Sequence, residues 1–178
     1  MLPPSPVADK RGLREDLDCV LPNFIDPPSP PPHNTPMAMS PHARVSAVRC
    51  NSYELDLVRV AVRDVLAPLG GMETFVSRGD RVLIKPNFLL ASRAEKAVCT
   101  HPAVIRAVAE AVLDAGAVSV AVGDSPAVQS GRSVAKKLGL LEPLSELGVE
   151  VIDLKDSVTA TAKNPDLFRR FEIARAVL

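Results

Sequence analysis

The strongest constraint on the fold is an alternation of short apolar runs with longer helical patterns between residues 81 and 154. Residues 81–84, 118–122 and 149–154 carry runs rich in Val, Leu and Ile that are typical of buried strands. Segments with helical spacing of apolar residues separate them. This order predicts βαβ units with right-handed crossovers. The sequence therefore predicts an α/β fold, a three-layer, mostly parallel sheet of the Rossmann-like kind, incomplete in this chain.

The helix between the first two runs has the clearest pattern. Its apolar stripe consists of Val104, Ile105, Val108, Ala109, Val112 and Leu113. Pro102 suits the first turn, because a missing N–H has no effect there, and Thr100 or His101 would cap it. On the side opposite the stripe we expect a charged row, formed by Arg106, Glu110 and Asp114.

Three further elements are predicted around this pattern. A short strand is expected over residues 43–50, where apolar and polar residues alternate. A helix over residues 51–69 would be capped by Asn51, with Glu54 three residues later completing a capping-box pattern. Residues 168–178 predict a last strand.

The first 42 residues differ in composition from the rest of the chain. They hold eleven of the 17 prolines, including Pro27, Pro28 and Pro30. Because proline lacks an N–H and fixes φ, this segment cannot join a sheet or a helix for long. We expect a disordered Pro-rich leader over residues 1–42, then one α/β domain over residues 43–178, truncated at its C-terminus. A ligand for a proline-binding domain is the functional alternative, and a solvated tail is the simpler one.

Charge and composition argue against several classes of protein. The formal net charge is zero and only 3% of residues are aromatic, with no Trp, so no surface for nucleic acid is expected. No apolar run approaches the roughly 20 residues that cross a bilayer. Cys19, Cys50 and Cys99 are widely spaced, so a zinc ribbon, a ferredoxin-type motif or a disulfide framework is not expected. These features favour a cytoplasmic protein that binds neither nucleic acid nor membrane.

Polar clusters adjoin the predicted strand and helix ends. They are Lys85-Pro86-Asn87, Thr100-His101-Pro102 and Gly123-Asp124-Ser125-Pro126. In an open parallel sheet, the residues that follow each strand share one edge, where ligands bind. The crossover helix also begins at that edge, with free N–H groups and partial positive charge. The residues expected to line one ligand site are therefore Lys85, Asn87, Thr100, His101, Asp124 and Ser125.

Such a site would favour a small anionic ligand. Lys85 and the helix start both attract a phosphate, a carboxylate or a developing oxyanion. Asp124 would orient Lys85 or His101, or take part in metal binding, although no set of metal ligands is predicted. If the protein is an enzyme, His101 is the candidate for proton transfer near neutrality and Lys85 for charge stabilisation.

Each of these residues also has a structural explanation. Lys85 can extend into solvent, and Asn87 can bond to its own loop. Thr100 can cap the helix, and His101 can be a surface residue of its first turn. Residues 123–126 can form a turn that binds no ligand.

The three motifs together resemble a known family. The runs VLIKPNF, CTHPAVIRAVAEAVLDAGA and VSVAVGDSPA are similar, in order and separation, to the bacterial and archaeal family called domain of unknown function 362, over residues 44–178. Lys85, His101 and Asp124 each lie in one of these motifs. The resemblance implies a cytoplasmic α/β protein of unsettled activity, whose longer members are associated with iron–sulfur modules of the ferredoxin type. This chain lacks their cysteine pattern, so we expect no cofactor in it; an iron–sulfur cluster is implied only with a C-terminal module.

Three hypotheses for the function follow. The first is an α/β module that binds a small anionic ligand. The second is a truncated, non-catalytic fragment that needs a protein partner or the missing C-terminal half. The third is an enzyme that uses Lys85 and His101.

Overall fold

The computed structural model describes residues 44–161 and 169–178, which contain four α-helices and five strands. The helices are α1 (Leu55–Leu66), α2 (Pro102–Asp114), α3 (Gly131–Lys137) and α4 (Leu141–Glu146). The strands are β1 (Arg81–Ile84), β2 (Ser119–Asp124), β3 (Glu150–Asp153), β4 (Ser157–Thr161) and β5 (Arg170–Ala174). The predicted leader over residues 1–42 lies outside the described residues.

The first three strands form a parallel sheet in the order β1-β2-β3. Val82 pairs with Val120, and Val122 pairs with Val151, so apolar side chains of all three strands lie in register on one face. Helix α2 connects β1 to β2, while α3 and α4 connect β2 to β3. The predicted α/β class with a parallel sheet is confirmed.

The hydrophobic core lies between one face of this sheet and the helices. Val120, Val122 and Val151 are buried there, together with Ile105 and Ala109 of α2. Complete burial of a Val or Ile side chain stabilises a fold by roughly 1.5–3 kcal/mol, so this layer is the main source of stability. Successive right-handed crossovers in one direction place their helices on the same face of a sheet.

The other face of the sheet is less covered in the described part of the chain. Strand side chains alternate between the two faces, so Leu83, Ala121 and Ile152 point away from the core valines. These three residues are only half-buried. The helices that pack on the three strands in residues 44–161 are α2, α3 and α4, which belong to the core face.

The segment before α1 corrects two predictions. Residues 44–50 form no strand and pair with none of the five strands in the described residues, and Val45 is 89% exposed. Helix α1 starts at Leu55 rather than near Asn51, whose Oδ1 instead accepts a hydrogen bond from Arg49 Nε at 2.9 Å. The predicted capping box is therefore wrong.

Helices α1 and α2 are joined by a charged contact. Glu110 accepts from Arg59 Nε at 2.6 Å and from Arg59 Nη2 at 2.8 Å, and Arg106 Nε donates to it at 3.0 Å. These hydrogen bonds, that from Arg59 foremost, lower the pKa of Glu110 against the opposing effect of burial. We expected the charged row of α2 on the side of the helix opposite its apolar stripe. Glu110 in this row instead contacts a second helix, α1.

The C-terminal part differs from the parallel sheet. The predicted last strand contains β5, but β5 pairs antiparallel with β4, a strand that the sequence did not predict. Ser157 and Thr159 of β4 donate hydroxyl hydrogen bonds to the Glu172 carboxylate at 2.8 and 2.6 Å. These hydroxyl groups lie on the exposed side of β4, while Val158 and Ala160 alternate with them and Ala160 is buried.

Across the described ranges, every helix is too short or too polar to reach from one side of a bilayer to the other.

Candidate functional site

The carboxyl ends of the three parallel strands meet at one edge, as predicted. Lys85 follows β1, Asp124 ends β2, and Asp153 ends β3 directly opposite Asp124 in the register. Strand β2 continues two residues further than expected, so Asp124 is its last residue and Ser125 the first after it. The Oδ1 atom of Asp153 accepts the Arg132 N–H at the start of α3 at 3.1 Å.

Asp124 is the centre of what we call the Asp124 cluster, which consists of Lys85, Phe88, Asp124 and Ser125. Asp124 is buried, with 8% of the residue exposed, and its carboxylate accepts two hydrogen bonds and an ionic contact. Oδ2 accepts from Phe88 N at 2.8 Å, while Oδ1 accepts from Ser125 N at 2.9 Å and lies 2.6 Å from Lys85 Nζ. Burial by itself raises the pKa of Asp124, but the Lys85 ammonium and the two backbone N–H groups outweigh it and lower the pKa. The carboxylate is therefore ionised at neutral pH.

The Lys85 ammonium lies at the surface of this cluster. Its side chain is 63% exposed, whereas that of Asp124 is 11% exposed. An ammonium has three N–H donors, and Asp124 Oδ1 occupies one of them. The remaining donors are oriented by the fixed carboxylate, which gives the sheet edge a positioned cation.

Asn87 and Thr100 close the loop between β1 and α2. Asn87 N donates to Thr100 Oγ1 at 2.9 Å, and Thr100 N donates to Asn87 O at 3.0 Å. Asn87 Nδ2 also donates to Val98 O at 3.2 Å. Two of the predicted ligand residues thus use their polar atoms to hold the loop ends together, and this brings His101 close to the residues that follow β1.

His101 belongs to a second group, the His101 cluster, formed by Tyr53, His101 and Ala103. His101 is the N-cap of α2, and its Nδ1 accepts the Ala103 N–H at 3.2 Å. The Tyr53 ring stacks on the imidazole with ring centroids 3.8 Å apart and planes 14° apart. Burial lowers the pKa of His101, against the charge of Glu95, which raises it.

The start of α2 does not carry the free N–H groups that we expected. Pro102 has no N–H, Ala103 N donates to His101 Nδ1, and the N–H groups of Val104 and Ile105 donate to His101 O at 3.0 and 3.3 Å. The prediction of unoccupied donors at this helix start is wrong, because the capping histidine uses its own side chain and carbonyl to satisfy them.

Close approach of backbone to backbone shapes the edge beside Asp124. A Cβ atom at Gly123 would lie 2.8 Å from Ile152 Cγ1 and 2.9 Å from Ile152 O. A Cβ atom at Gly131 would lie 3.0 Å from Asp124 O. Glycine at these two positions therefore allows β3 and the start of α3 to pack closely against the end of β2.

The structure brings together Lys85 and Asp124, and separately Asn87 and Thr100. In the described part of the chain, no hydrogen bond or ion pair joins His101 to Lys85 or Asp124. Sequence reasoning missed Tyr53 as a site residue, because residue 53 fell within the predicted helix over 51–69, whereas α1 starts at Leu55. It also missed Gln129, whose Oε1 accepts Ala91 N at 2.7 Å and ties the loop after β1 to the loop after β2.

Two cavities lie away from this edge. One of about 400 Å³ lies beside α1 and α2, with Arg59, Leu66, Met72, Ala107 and Glu110 in its lining. The other, of about 340 Å³, is an open depression on the hairpin lined by Thr159, Arg170, Phe171 and Glu172. We favour the strand edge over both cavities as the functional site, because it holds an ionised, oriented pair of opposite charges.

Metal-ligating side chains are not gathered in the described residues. No three of the His, Cys, Asp and Glu side chains within 44–161 and 169–178 have an arrangement that would hold a metal ion. Cys50 Sγ donates to Ser52 O at 3.1 Å and Cys99 Sγ donates to Leu90 O at 3.2 Å, each within its own segment. These thiols do not fit the four-cysteine ligand set of an iron–sulfur cluster.

Comparison with known proteins identifies relatives of this chain. The model of the family described as "Domain of unknown function (DUF362)" matches residues 82–178. A protein of Synechocystis sp. (strain ATCC 27184 / PCC 6803 / Kazusa) named thylakoid-associated protein is 38% identical over 134 residues, which is 75% of this chain. The match spans 41% of that relative's own length. No solved structure matches the chain.

Proposed function

We propose that this chain, which belongs to the family described as Domain of unknown function (DUF362), is an α/β module that binds a small anionic ligand at the carboxyl edge of its sheet. The observation that carries the proposal is the Lys85–Asp124 pair, with a buried carboxylate and an exposed ammonium 2.6 Å apart. Anchoring by Asp124 reduces the side-chain entropy that Lys85 would lose on binding a ligand.

The chemistry of this edge favours phosphate or carboxylate. Asp124 already accepts from Phe88 N and Ser125 N, so its charge is largely compensated within the protein. The ammonium therefore faces solvent without a second carboxylate beside it among its described ion pairs. Ser125, which is exposed next to this pair, adds a hydroxyl that can donate to a ligand oxygen.

Isothermal titration with inorganic phosphate and with acetate tests this function. The wild type should bind at least one of them, and Lys85→Met should lose the binding while keeping its fold. Lys137→Met is the matched control, since Lys137 is an exposed lysine in the last turn of α3. Equal binding by the wild type and Lys85→Met, or none by the wild type, would rule out the proposed site.

A second candidate function is assembly with a further polypeptide layer. Parallel sheets in proteins are almost always covered on both faces, whereas Leu83, Ala121 and Ile152 are half-buried on the face opposite the one that α2, α3 and α4 cover. The Synechocystis relative is longer than the matched region, which spans 41% of it. We propose that this face is covered by a polypeptide segment like the one that lies beyond the matched region in such relatives.

Co-expression of this chain with the unmatched part of the Synechocystis relative tests the assembly. We expect a complex that Ile152→Asp breaks and Val158→Asp, on the separate hairpin, leaves intact. Failure to form any complex, or a complex that tolerates Ile152→Asp, would count against it.

We propose that an iron–sulfur cluster, where the family uses one, is held by a further cysteine-containing module, since Cys50 and Cys99 lie in separate contacts. We also propose a cytoplasmic location, which widely spaced cysteines favour. The enzyme hypothesis with Lys85 and His101 has less support, because His101 Nδ1 is engaged at the helix cap.

A further inference from the structure

The imidazole of His101 is held by two groups, the Ala103 N–H and the Tyr53 ring. The sequence patterns predicted neither contact. In the ring plane, Nδ1 accepts the Ala103 N–H at 3.2 Å. On one ring face, Tyr53 stacks at a centroid distance of 3.8 Å. A nitrogen that accepts a hydrogen bond carries a lone pair, so the proton of the neutral ring lies on Nε2.

The charged form of the ring is disfavoured at this position. A proton on Nδ1 would face the Ala103 N–H and remove the cap of α2. The N-terminus of a helix also carries partial positive charge, which repels an imidazolium. Tyr53 stacks on one face of the ring, burial of the ring lowers its pKa, and the negative charge of Glu95 opposes this effect.

We propose that Tyr53 is a positioning residue that, with the Ala103 amide, fixes His101 as a neutral Nε2–H tautomer whose role is to donate a hydrogen bond. The Nε2–H group is then the one polar position of this ring that the cap leaves for another molecule. This role replaces the acid–base role that the sequence suggested, since a ring with Nδ1 engaged cannot accept a proton there without losing the helix cap.

The consequence for the ligand rests on the proposed function. The mutual Asn87–Thr100 hydrogen bonds of 2.9 and 3.0 Å hold His101 beside the loop that carries Lys85. An anion bound to the Lys85 ammonium would have further oxygen acceptors, and a neutral N–H donor can satisfy one without adding a second charge. The ligand class is therefore a multi-oxygen anion such as phosphate or carboxylate.

Nitrogen-15 NMR of the histidine side chains tests the tautomer without any ligand. At pH 7.5 we expect His101 to show an unprotonated Nδ1 and a protonated Nε2. Its signals are assigned by their loss in His101→Asn, which keeps a side chain suited to an N-cap. Predominance of the Nδ1–H tautomer, or of the imidazolium, would overturn the proposal.

Two variants of Tyr53 test the positioning role. Tyr53→Phe keeps the aromatic ring and should leave the tautomer and the His101 chemical shifts near those of the wild type. Tyr53→Leu should remove the ring-current shift of the imidazole protons and raise its pKa, because more water reaches the ring. If Tyr53→Leu folds by circular dichroism and changes neither, Tyr53 does not position His101.

These measurements also separate this inference from the proposed function. The tautomer is read in the ligand-free protein, so a failure to bind phosphate leaves it unaffected. Conversely, binding of phosphate that is lost in Lys85→Met supports the anion site even if His101 proves to be charged. Loss of phosphate affinity in His101→Asn, with Lys85 intact, is expected only if both proposals hold.

Discussion

The Asp124 cluster and the His101 cluster lie near the same edge of the sheet but are built on different physical principles. Asp124 is a buried charge, stabilised by Lys85 and by two backbone N–H groups. His101 is held neutral by a helix cap and an aromatic ring. The first cluster presents a cation to solvent, whereas the second presents a fixed donor without charge. Attraction and orientation of a ligand can therefore be assigned to separate groups, and substitutions should separate them.

The largest effect is expected from Asp124→Ala. It leaves the N–H of buried Phe88 and that of Ser125 without their acceptor, so we expect a loss of about 3 kcal/mol in the free energy of unfolding. Urea denaturation measures this change. Asp114→Ala, at an exposed position on α2, is the control and should stay within about 0.5 kcal/mol of the wild type. A loss below about 1 kcal/mol for Asp124→Ala would show that the cluster is not a structural centre.

Thr100→Val tests the link between the two clusters. The substitution keeps the shape of the side chain but removes the hydroxyl that accepts Asn87 N, so we expect destabilisation by about 1–2 kcal/mol. Thr100→Ser keeps the hydroxyl and should be destabilised less. The same denaturation experiment compares them, and equal stabilities for the Val and Ser variants would contradict the link.

The two clusters should affect the free energy of unfolding in different pH ranges. Both pKa values are lowered in the folded protein, so each group contributes stability that is present above its unfolded pKa and is lost as the pH falls through the folded one. Unfolded His and Asp have pKa values of about 6.5 and about 3.9. His101→Asn should therefore flatten the stability curve below about pH 6.5 and leave the acid loss below about pH 4. A wild-type curve that rises from pH 7 to pH 5.5 would contradict the neutral state of His101.

The smallest effect on stability is expected from Lys85→Met. Water can replace the ammonium of Lys85, whose side chain is 63% exposed, and Asp124 keeps its two backbone N–H donors, so the free energy of unfolding should fall by only about 1 kcal/mol. Binding of anions should nevertheless be lost. Lys85 would then act mainly in ligand binding and Asp124 mainly in stability. Thermal unfolding with and without phosphate measures both properties, and a large destabilisation by Lys85→Met would show that Lys85 acts chiefly in stabilising the fold.

Sequence patterns predicted the parallel sheet and the proximity of Lys85 to Asp124. The apolar runs around Val82, Val120 and Val151 specify parallel strands, and parallel strands bring the residues after their ends to one edge. Periodicity alone was misleading over residues 44–50, where alternation exists but no strand lies beside the segment to pair with it. Strand β4 was not predicted, because its alternation rests on two small apolar residues, Val158 and Ala160, which are too few to give a clear strand pattern.

The details of the His101 cluster could not be predicted from local sequence. A cap of α2 was expected, and both Thr100 and His101 were candidates. The choice of His101 depends on its Nδ1 reaching Ala103 N, while Thr100 is engaged by Asn87. The stacking of Tyr53 depends on how the segment before α1, which was predicted to be helical, packs against the start of α2, and no periodicity specifies that contact.

The most direct test of the account is a phosphate titration followed by the backbone amide signals of Phe88 and Ser125. These N–H groups donate to Asp124, whose other contact is the Lys85 ammonium, so binding at Lys85 should shift both signals saturably. We expect such shifts in the wild type and in Lys137→Met, and we expect none in Lys85→Met. Signals that do not move in the wild type, or that move equally in Lys85→Met, would contradict an anion site at this edge.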